Sequence, residues 1–418
     1  MSSDGKRQRT ADRFDLSAQR APTDAAAVLR ELADAAEAAG TVFDVYGAGA
    51  SLQAFEGKLA ALLGKPAAAF FPTGTCAQQS ALCALTTGAG PFDVIGKPTI
   101  LLHPTSHLVY LDCLRDGADQ ARQFNERCEA NLPEFDVRAV GEMSRPLGLA
   151  DVKAAFDAFS LIGDSILVIE LPQRMNGGGA APFEELVSIA ALCRERNVRL
   201  HLDGARLWEV APHFGKSYAE ICAVFDTAYV SFYKGVGALS GAMILGPADV
   251  INHTKVWQKR RGSNAFTFGP AALSCQHSLE GALNGSVASF EERYAWIGRM
   301  VATVSAIAAG VAMKGQLFFD PSVPQSAMVH CYLRGDAGLL EACHARAQER
   351  SGVRLWNQLR GRGHTTLPQM RTMVGGPAGD WHYFEWSAGP ANALIPIEVA
   401  ERGWRTFFEE LGHAKSEE

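Results

Sequence analysis

The 418-residue sequence predicts an α/β fold with a mostly parallel sheet between helices, followed by a smaller C-terminal α+β domain. Three observations predict it. Short apolar runs alternate with helical patterns, as in strand–helix–strand units. These runs are apolar along their whole length, as in strands buried on both faces. Beyond about residue 300 the pattern changes to two further strands and a long helix.

The elements of the large sheet follow in order along the chain. A first helix is predicted where Leu52, Phe55, Leu59 and Leu62 share one face, and Gly64 is placed to end it. The predicted strands are AAAFF (67–71), TILLH (99–103), SILVIELP (165–172), VRLHLD (198–203), AYVSFY (228–233) and GAMILG (241–246). Helical stretches at 72–85 and 183–197 follow two of these strands, so we expect helices on both faces of the sheet.

We expect three segments along the chain. They are an N-terminal arm at residues 1–40, a large domain at 41–295 and a small C-terminal domain at 296–418. The small domain is predicted from MVHCYL (328–333), HYFEWS (382–387) and a helix at 396–411.

Composition argues against several classes of protein. The formal net charge of −6 predicts no surface for nucleic acid. The nine cysteines are odd in number and form no C-x-x-C pair, which favours a reduced compartment over a disulfide framework or a zinc site. The polar N-terminus lacks the apolar core of a secretory signal, and no apolar run reaches membrane-spanning length. We therefore expect a cytoplasmic protein with neither a membrane partner nor a metal.

A lysine stands between two apolar strands in YVSFYKGVGALSGAMIL (229–245). Lysine is strongly hydrated and is rarely buried without a partner, yet Lys234 directly follows Phe232 and Tyr233. A lysine held at a buried strand end can have a lowered pKa and can condense with a carbonyl compound. The alternative is a structural lysine whose ammonium reaches outward to water.

An aspartate ends the preceding apolar strand, in HLDGAR (201–206). Open α/β sheets place ligand groups at the carboxyl ends of their strands. Asp203 and Lys234 lie 31 positions apart (234 − 203), the length of one strand–helix–strand unit, so adjacent strands can bring both to one edge of the sheet. The alternative role for Asp203 is that of a helix N-cap.

The stretch PTGTCAQQ (72–79) joins a predicted strand to a helix. The free N–H groups of that helix, with the hydroxyls of Thr73 and Thr75, suit a phosphate group. The stretch lacks the G-K-[ST] of a Walker P-loop. The alternative is a plain helix start.

An amine, a carboxylate and a phosphate-binding helix start are together what pyridoxal 5′-phosphate requires. Its aldehyde needs the amine, its pyridine nitrogen needs an anion, and its phosphate needs N–H donors. His107, in HPTSHLVY (103–110), follows a further predicted strand and could stack on the ring, although taken alone it is simply a partnered polar residue. Only the ordered combination of these groups predicts this cofactor.

The same stretches resemble the threonine aldolase / aromatic amino acid β-eliminating lyase group of fold-type I pyridoxal-phosphate enzymes. In the family's order, between about residues 40 and 280, they are DVYGAGASLQAFEGKLAALLGK, FFPTGTCAQQSAL, SHLVYLD, LHLDGARLWEV, YVSFYKGVGALSGAMILG and VWQKRRGS. The resemblance implies the transferase-like fold of fold-type I enzymes. It also implies a homodimer or homotetramer with shared active sites.

The resemblance implies roles for the cofactor-binding residues. It implies that Lys234 is the Schiff-base lysine and that Asp203 pairs with the pyridine nitrogen. His107 is similar to the histidine that stacks on the ring and takes part in acid–base steps. Gly74 and Thr75 are similar to the residues that bind the phosphate.

The resemblance implies roles for substrate-binding residues as well. Arg206 is similar to an arginine that contacts the cofactor and the substrate carboxylate, Lys259 to a lysine near the active site, and Tyr46 to the tyrosine of the family's V-Y-G segment. We add the hypothesis that Arg174 helps Arg206 to bind the carboxylate, since planar guanidinium groups bind carboxylates in a bidentate manner. Arg371 is a weaker candidate for the family's C-terminal arginine.

The sequence departs from the family mainly where substrate is recognised. The serine of the family's N-terminal L-R-S-D-T segment has no match, and Ala48 and Gly49 replace its acids after Y-G. The family's E-N-T-H-N is ELPQRMN here, which would bring Gln173 and Arg174 near the cofactor. Phe266 aligns with the arginine of G-G-G-M-R.

The resemblance implies a carbon–carbon lyase that cleaves a β-hydroxy-α-amino acid to glycine and an aldehyde, in the manner of threonine aldolase. Elimination of a substituent from Cβ is the alternative within the same cofactor class. Aminotransferase and racemase chemistry rank below both. A non-catalytic binding protein of the same fold is the alternative from a different class, and the retained lysine, aspartate and histidine argue against it. The expected partner is a small amino acid substrate.

Overall fold

The fold is built on one large sheet and one small sheet. The computed structural model describes residues 14–20, 24–86, 98–110, 135–159, 161, 165–311, 315–360 and 381–417. The described strands are β1 (Phe14–Asp15), β2 (Ala67–Phe71), β3 (Thr99–Leu102), β4 (Asp136–Ala139), β5 (Ile166–Glu170), β6 (Arg199–Gly204), β7 (Thr227–Ser231), β8 (Ala242–Gly246), β9 (Leu317–Asp320), β10 (Met328–Arg334), β11 (Val353–Arg354) and β12 (Trp381–Ser387).

Helices lie between and after these strands. The described α-helices are α1 (Ala25–Ala39), α2 (Ala50–Leu62), α3 (Gly74–Thr86), α4 (His107–Tyr110), α5 (Leu149–Ala158), α6 (Phe183–Glu195), α7 (Leu207–Phe214), α8 (Tyr218–Cys222), α9 (Ala248–Arg260), α10 (Gly269–Asn284), α11 (Phe290–Gly310), α12 (Ala337–Ser351) and α13 (Ile397–Glu417). No helix in these described ranges is both long enough and apolar enough to cross a bilayer.

The large sheet has seven strands in the order β2-β8-β7-β6-β5-β3-β4. Among them only β8 runs antiparallel to its neighbours, which are β2 and β7. The strands are apolar because both faces are covered, and Ile166 to Val168 in the middle of the sheet are fully buried. The predicted strands and the predicted α/β class are confirmed.

The register of the parallel strands brings three strand ends together. Glu170 at the end of β5 lies beside Asp203 in β6, and Asp203 lies beside Tyr229 in β7. Residues that follow these three strands therefore emerge at the same edge of the sheet. This is the edge at which open α/β sheets bind ligands.

The segment after β6 is divided into two helices, α7 and α8. Gly215 ends α7 with a backbone φ of 60°, in the left-handed region that glycine adopts without strain. Ser217 then caps α8, because its hydroxyl accepts the N–H of Glu220 while the Glu220 carboxylate accepts the N–H of Ser217. The segment is thus broken at Gly215, while Pro212 stays within α7.

The C-terminal part of the chain forms a separate small sheet and core. Strands β12, β10 and β9 are antiparallel, in that order. Their apolar face packs with α11, α12 and α13 around Trp386 and Trp404, both fully buried. Strand β1 pairs with β11 of this region. The expected division at residues 40 and 295 stays a prediction.

Candidate active site

Lys234 lies in the turn that joins β7 to β8. The turn is closed by the N–H of Phe232, which donates to Gly241 O at 3.1 Å, and by the N–H of Ala238, which donates to Phe232 O at 2.8 Å. Gly237 and Gly241 have φ angles of 98° and 113°, a region that favours glycine. The glycines around Lys234 are therefore needed for the turn.

Buried side chains of two helices, α7 and α11, contact the backbone of this turn. A Cβ atom at Gly235 would overlap the carboxylate of Glu209 in α7. Arg293 of α11, which is fully buried, donates to Gly235 O at 2.6 Å and to Ala288 O at 2.8 Å. The backbone next to Lys234 is thus packed closely against Glu209 and hydrogen-bonded by Arg293.

The environment of Lys234 lowers its pKa to about 8. Burial is the main cause, and the charge of Arg206 adds to it, whereas the charges of Asp203 and Glu170 act in the opposite direction. The neutral fraction near neutral pH is therefore much larger than that of an ordinary lysine, although the charged form still predominates. A neutral amine is the form that condenses with an aldehyde.

Asp203 lies at the end of β6 with 1% of its surface exposed. Burial raises the pKa of its carboxyl group, while the charge of Lys234 and hydrogen bonds from the Ala205 N–H and the Gln78 amide oppose that rise. The Ala205 N–H donates to Oδ1 at 3.2 Å. A buried carboxylate beside cations suits a further positive partner, such as a protonated pyridine nitrogen.

His107 is the first residue of α4, which follows β3 at the same edge. Its N–H donates to Glu170 Oε2 at 3.3 Å, and the N–H of Arg174 donates to Glu170 Oε1 at 3.1 Å. The Glu170 carboxylate thus ties two loops of the site together. Burial, and then the charges of Lys234, Arg174 and Arg206, lower the pKa of His107 to about 4.

The N-terminus of α3 follows β2 directly. Gly74 is buried there, and a Cβ atom at this position would overlap the hydroxyl of Tyr229. The Thr73 hydroxyl accepts the Cys76 N–H at 3.3 Å, and both Thr73 and Thr75 are exposed. This arrangement leaves helix N–H groups and a hydroxyl available to an anion.

Two arginines extend the site toward substrate. Arg206 lies 3.9 Å from Glu209 (Nε to Oε1) at the start of α7. Arg174 follows β5 in a short 3₁₀ helix and donates from Nε to Glu385 Oε2 at 2.9 Å. Burial would raise the pKa of Glu385, but the nearby imidazole of His330 and the charges of both arginines outweigh it and hold that pKa well below its usual range.

Two of the predicted site residues, Tyr46 and Lys259, lie apart from this group, whereas Gln173 directly precedes Arg174. Tyr46 is 57% exposed, and its N–H donates to Phe266 O at 2.7 Å. Lys259 is exposed near the end of α9, and within the described ranges it has no hydrogen bond or ion pair to another candidate residue. Gln173 is buried and donates to Thr105 Oγ1 at 2.9 Å. Arg371 lies outside the described residues.

The residues at this edge fit pyridoxal 5′-phosphate. The aldehyde needs an amine, and a lysine of lowered pKa follows β7. The ring nitrogen needs an anion, and a buried carboxylate stands near the end of β6. The phosphate needs N–H donors, and a helix N-terminus follows β2. Only glycine fits at position 74, because any side chain there would overlap the Tyr229 hydroxyl. In addition, the hydroxyl of Ser106 is buried with no hydrogen-bond partner among the described residues.

Comparison with known proteins agrees with this geometry. A family model described as Beta-eliminating lyase matches residues 22–350. The chain belongs to the β-eliminating lyase family. The resemblance to threonine aldolases and the fold-type I architecture expected from the sequence are thereby confirmed.

Relatives within and beyond this family differ in how much they share with the chain. A structure from Listeria monocytogenes EGD-E, a candidate L-allo-threonine aldolase, is 30% identical, with a TM-score of 0.76 and coverage of 95% of this chain and 96% of the other. The low-specificity L-threonine aldolase of Candida albicans is 28% identical over 54% of this chain, which spans only 56% of that relative. A serine palmitoyltransferase from S. paucimobilis, 16% identical over 94% of this chain and 85% of the other, with a TM-score of 0.62, shows the shared fold.

Three acidic or polar residues of the candidate site were not predicted from the sequence. Glu170 and Glu385 each stand in a strongly apolar strand, ILVIE and WHYFEWS, and a lone acid in such a strand was the available signal. Gln78 lay inside the predicted phosphate-binding stretch. Its role depends on contacts with β6 that the sequence does not show.

Proposed function

We propose that the protein is a pyridoxal-phosphate-dependent lyase that cleaves the Cα–Cβ bond of a β-hydroxy-α-amino acid into glycine and an aldehyde. The observation that carries the proposal is that Asp203 and Lys234 come from adjacent parallel strands at one edge of the sheet and are close enough for the Asp203 charge to act on the lysine, whose pKa is lowered to about 8. The family match supports the reaction class. The 30% identity to a candidate L-allo-threonine aldolase supports the substrate class.

The cofactor, when bound, supplies an aldehyde that condenses with amines and a protonated ring that takes up electron density from the breaking bond. We assign Lys234 as the amine that holds it and Asp203 as the anion that keeps the ring nitrogen protonated. Thr73, Gly74 and Thr75 would bind the phosphate at the start of α3.

His107 is the residue we assign to proton transfer. Burial and the nearby cations lower its pKa to about 4 and keep the imidazole neutral at physiological pH, the form in which one ring nitrogen can accept a hydrogen bond from the substrate β-hydroxyl. The hydrogen bond from its N–H to Glu170 fixes the start of α4, which holds the ring in place. Cleavage of the Cα–Cβ bond requires removal of that hydroxyl proton.

We assign carboxylate binding to Arg206 and Arg174. Both guanidinium groups are close enough to influence the pKa of Lys234, so both lie near the point where an amino acid would react. Tyr46 and Lys259 would reach the site only from a second subunit, because neither contacts the Lys234 group within one chain. We propose a homodimer or homotetramer for this reason.

β-Elimination is the second candidate function, and the description of the matching family favours it. The two reactions differ in their products. Incubation of the purified protein with allo-threonine, phenylserine, serine and cysteine would give glycine and an aldehyde in the first case. It would give ammonia and a keto acid in the second.

The product screen needs a control for the enzyme class itself. The Lys234→Ala variant, assayed alongside, should give neither set of products. Absence of both product sets from the unaltered protein, together with no yellow bound cofactor, would favour a non-catalytic binding protein instead. A cytoplasmic location remains a prediction from the sequence.

A further inference from the structure

A chain of four buried polar side chains ends on Asp203. The hydroxyl of Thr227 lies 2.7 Å from Nδ1 of His201, and Nε2 of His201 lies 2.8 Å from Oε1 of Gln78. His201 and Asp203 are two residues apart in β6, so their side chains share one face of the sheet, and Gln78 acts on Asp203 as well, where its amide lowers the pKa of the carboxyl group. All four side chains are at most 3% exposed, and they come from β7, β6 and α3.

The chemistry of these groups fixes the direction of every hydrogen bond. A carboxamide oxygen only accepts, so Nε2 of His201 carries the hydrogen that Gln78 Oε1 receives. Nδ1 of this neutral ring then accepts from the Thr227 hydroxyl. Burial lowers the pKa of His201 to about 3, so the ring stays neutral through the physiological range.

The directions of these hydrogen bonds determine which atom of the Gln78 amide faces Asp203. With its oxygen engaged by His201, the amide presents N–H to the carboxylate. The reversed amide would face the carboxylate with an oxygen, which a deprotonated Asp203 repels. Asp203 thus has two donors, the Gln78 amide and the Ala205 N–H at 3.2 Å, and both favour its ionised form.

We propose that Gln78 is a positioning residue for the cofactor: it holds the Asp203 carboxylate in the ionised form that a protonated pyridine nitrogen requires, and His201 and Thr227 fix the orientation of its amide. The inference rests on the proposed function. It adds a residue that acts through Asp203 and that does not itself contact the cofactor.

If these hydrogen-bonded side chains had a purely structural role, a different result would be expected. Buried polar groups must be hydrogen-bonded for stability alone, so loss of Gln78 would destabilise the protein in either case. A structural defect, however, would weaken binding of any ligand at the site. Loss of support for Asp203 would weaken only a ligand with a ring nitrogen to protonate.

The test compares two ligands on the full-length protein. One is pyridoxal 5′-phosphate, and the other is its 1-deaza analogue, in which carbon replaces the ring nitrogen. Equilibrium affinities are measured for Gln78→Met, which keeps the length of the side chain without the amide, and for Asp203→Asn as the reference. Gln258→Met is the matched control, because Gln258 is also buried (4% exposed) but donates to Phe70 O, away from Asp203.

Gln78→Met should lower the affinity for pyridoxal 5′-phosphate at least about tenfold, the scale of a lost hydrogen bond to a charged group, and the affinity for the analogue less than about threefold. Asp203→Asn should show the same selectivity and Gln258→Met should not. Thr227→Val, a milder change that serves if Gln78→Met does not fold, should show a smaller loss with the same selectivity.

Two outcomes would overturn the inference while leaving the proposed function intact. One is an equal loss of affinity for both ligands, and the other is no loss for either. Failure of the unaltered protein to bind pyridoxal 5′-phosphate would instead overturn the proposed function and this inference together.

Discussion

The guanidinium group of Arg174 donates from Nε to the Glu385 carboxylate at 2.9 Å, which links the loop after β5 to β12 of the small sheet. Glu385 also lies 3.7 Å from Nε2 of His330. In the described part of the chain, the two terminal nitrogens of Arg174 have no hydrogen-bond partner. The ion pair thus holds the arginine in place while leaving two donors for another carboxylate.

Arg174→Lys should raise the KM for the amino acid substrate while leaving cofactor affinity nearly unchanged. Lysine keeps the charge but lacks the planar pair of donors. The expected loss of substrate-binding free energy is about 1.5–3 kcal/mol, the scale of a hydrogen bond to a charged group. Steady-state kinetics and a cofactor titration measure the two effects. Arg196→Lys is the control, because Arg196 pairs with Asp157 at the surface. Unaltered KM and kcat in Arg174→Lys would remove this residue from the site.

Much of this site could be predicted because its chemistry is local in the sequence. Lys234 and Asp203 each end an apolar strand, and the spacing of one strand–helix–strand unit places them together. Glu385 could not be placed in the same way, because β12 meets Arg174 only through the packing of the small sheet on the loop after β5. The partners of Gln78 likewise depend on how α3 packs against β6.

Lys234→Ala should abolish the covalent link between protein and cofactor. The lysine is the amine whose burial and proximity to Arg206 lower its pKa to about 8, and alanine has no amine to replace it. Borohydride reduction followed by peptide mass mapping should find the cofactor on the peptide that contains Lys234 in the unaltered protein and on no peptide in the variant. Lys259→Ala should keep the label. A label that persists in Lys234→Ala would show that another amine carries the cofactor.

Glu209→Gln should stabilise the protein at alkaline pH and have little effect at acidic pH. Burial raises the pKa of Glu209 to about 7, against the attraction of Arg206 and Arg293. The folded state therefore holds a proton that the unfolded state releases at lower pH. The stability from this protonated form is fully present below the usual carboxyl pKa and is lost as pH rises through about 7.

Glutamine mimics the protonated carboxyl group at every pH. The free energy of unfolding of Glu209→Gln, measured with urea, should exceed that of the unaltered protein by about 2–3 kcal/mol at pH 8 and by almost nothing at pH 4.5. Glu195→Gln, at an exposed position, serves as the control at both pH values. A gain of the same size at both pH values would contradict a titrating Glu209.

Phe266→Asp should convert an oligomer into monomers and reduce turnover. Phe266 is 63% exposed, and its ring packs edge-on against that of Tyr46, with centroids 5.3 Å apart. Asp44 holds this arrangement, since its carboxylate accepts the N–H of Gly47 at 2.8 Å and that of Phe268 at 2.8 Å. Large exposed side chains on a fixed backbone are typical of an interaction surface.

A second copy of this chain is the occupant we expect on that surface, because Tyr46 is a predicted substrate-binding residue that does not reach the Lys234 group of its own subunit. A charge at Phe266 would be buried without a partner in the interface, so the subunits should separate. Light scattering after gel filtration and steady-state assays measure the two effects. Val323→Asp is the control, since Val323 is 73% exposed in the loop between β9 and β10 and should leave the oligomer intact. A fully active monomer, whether of the unaltered protein or of Phe266→Asp, would refute a shared active site.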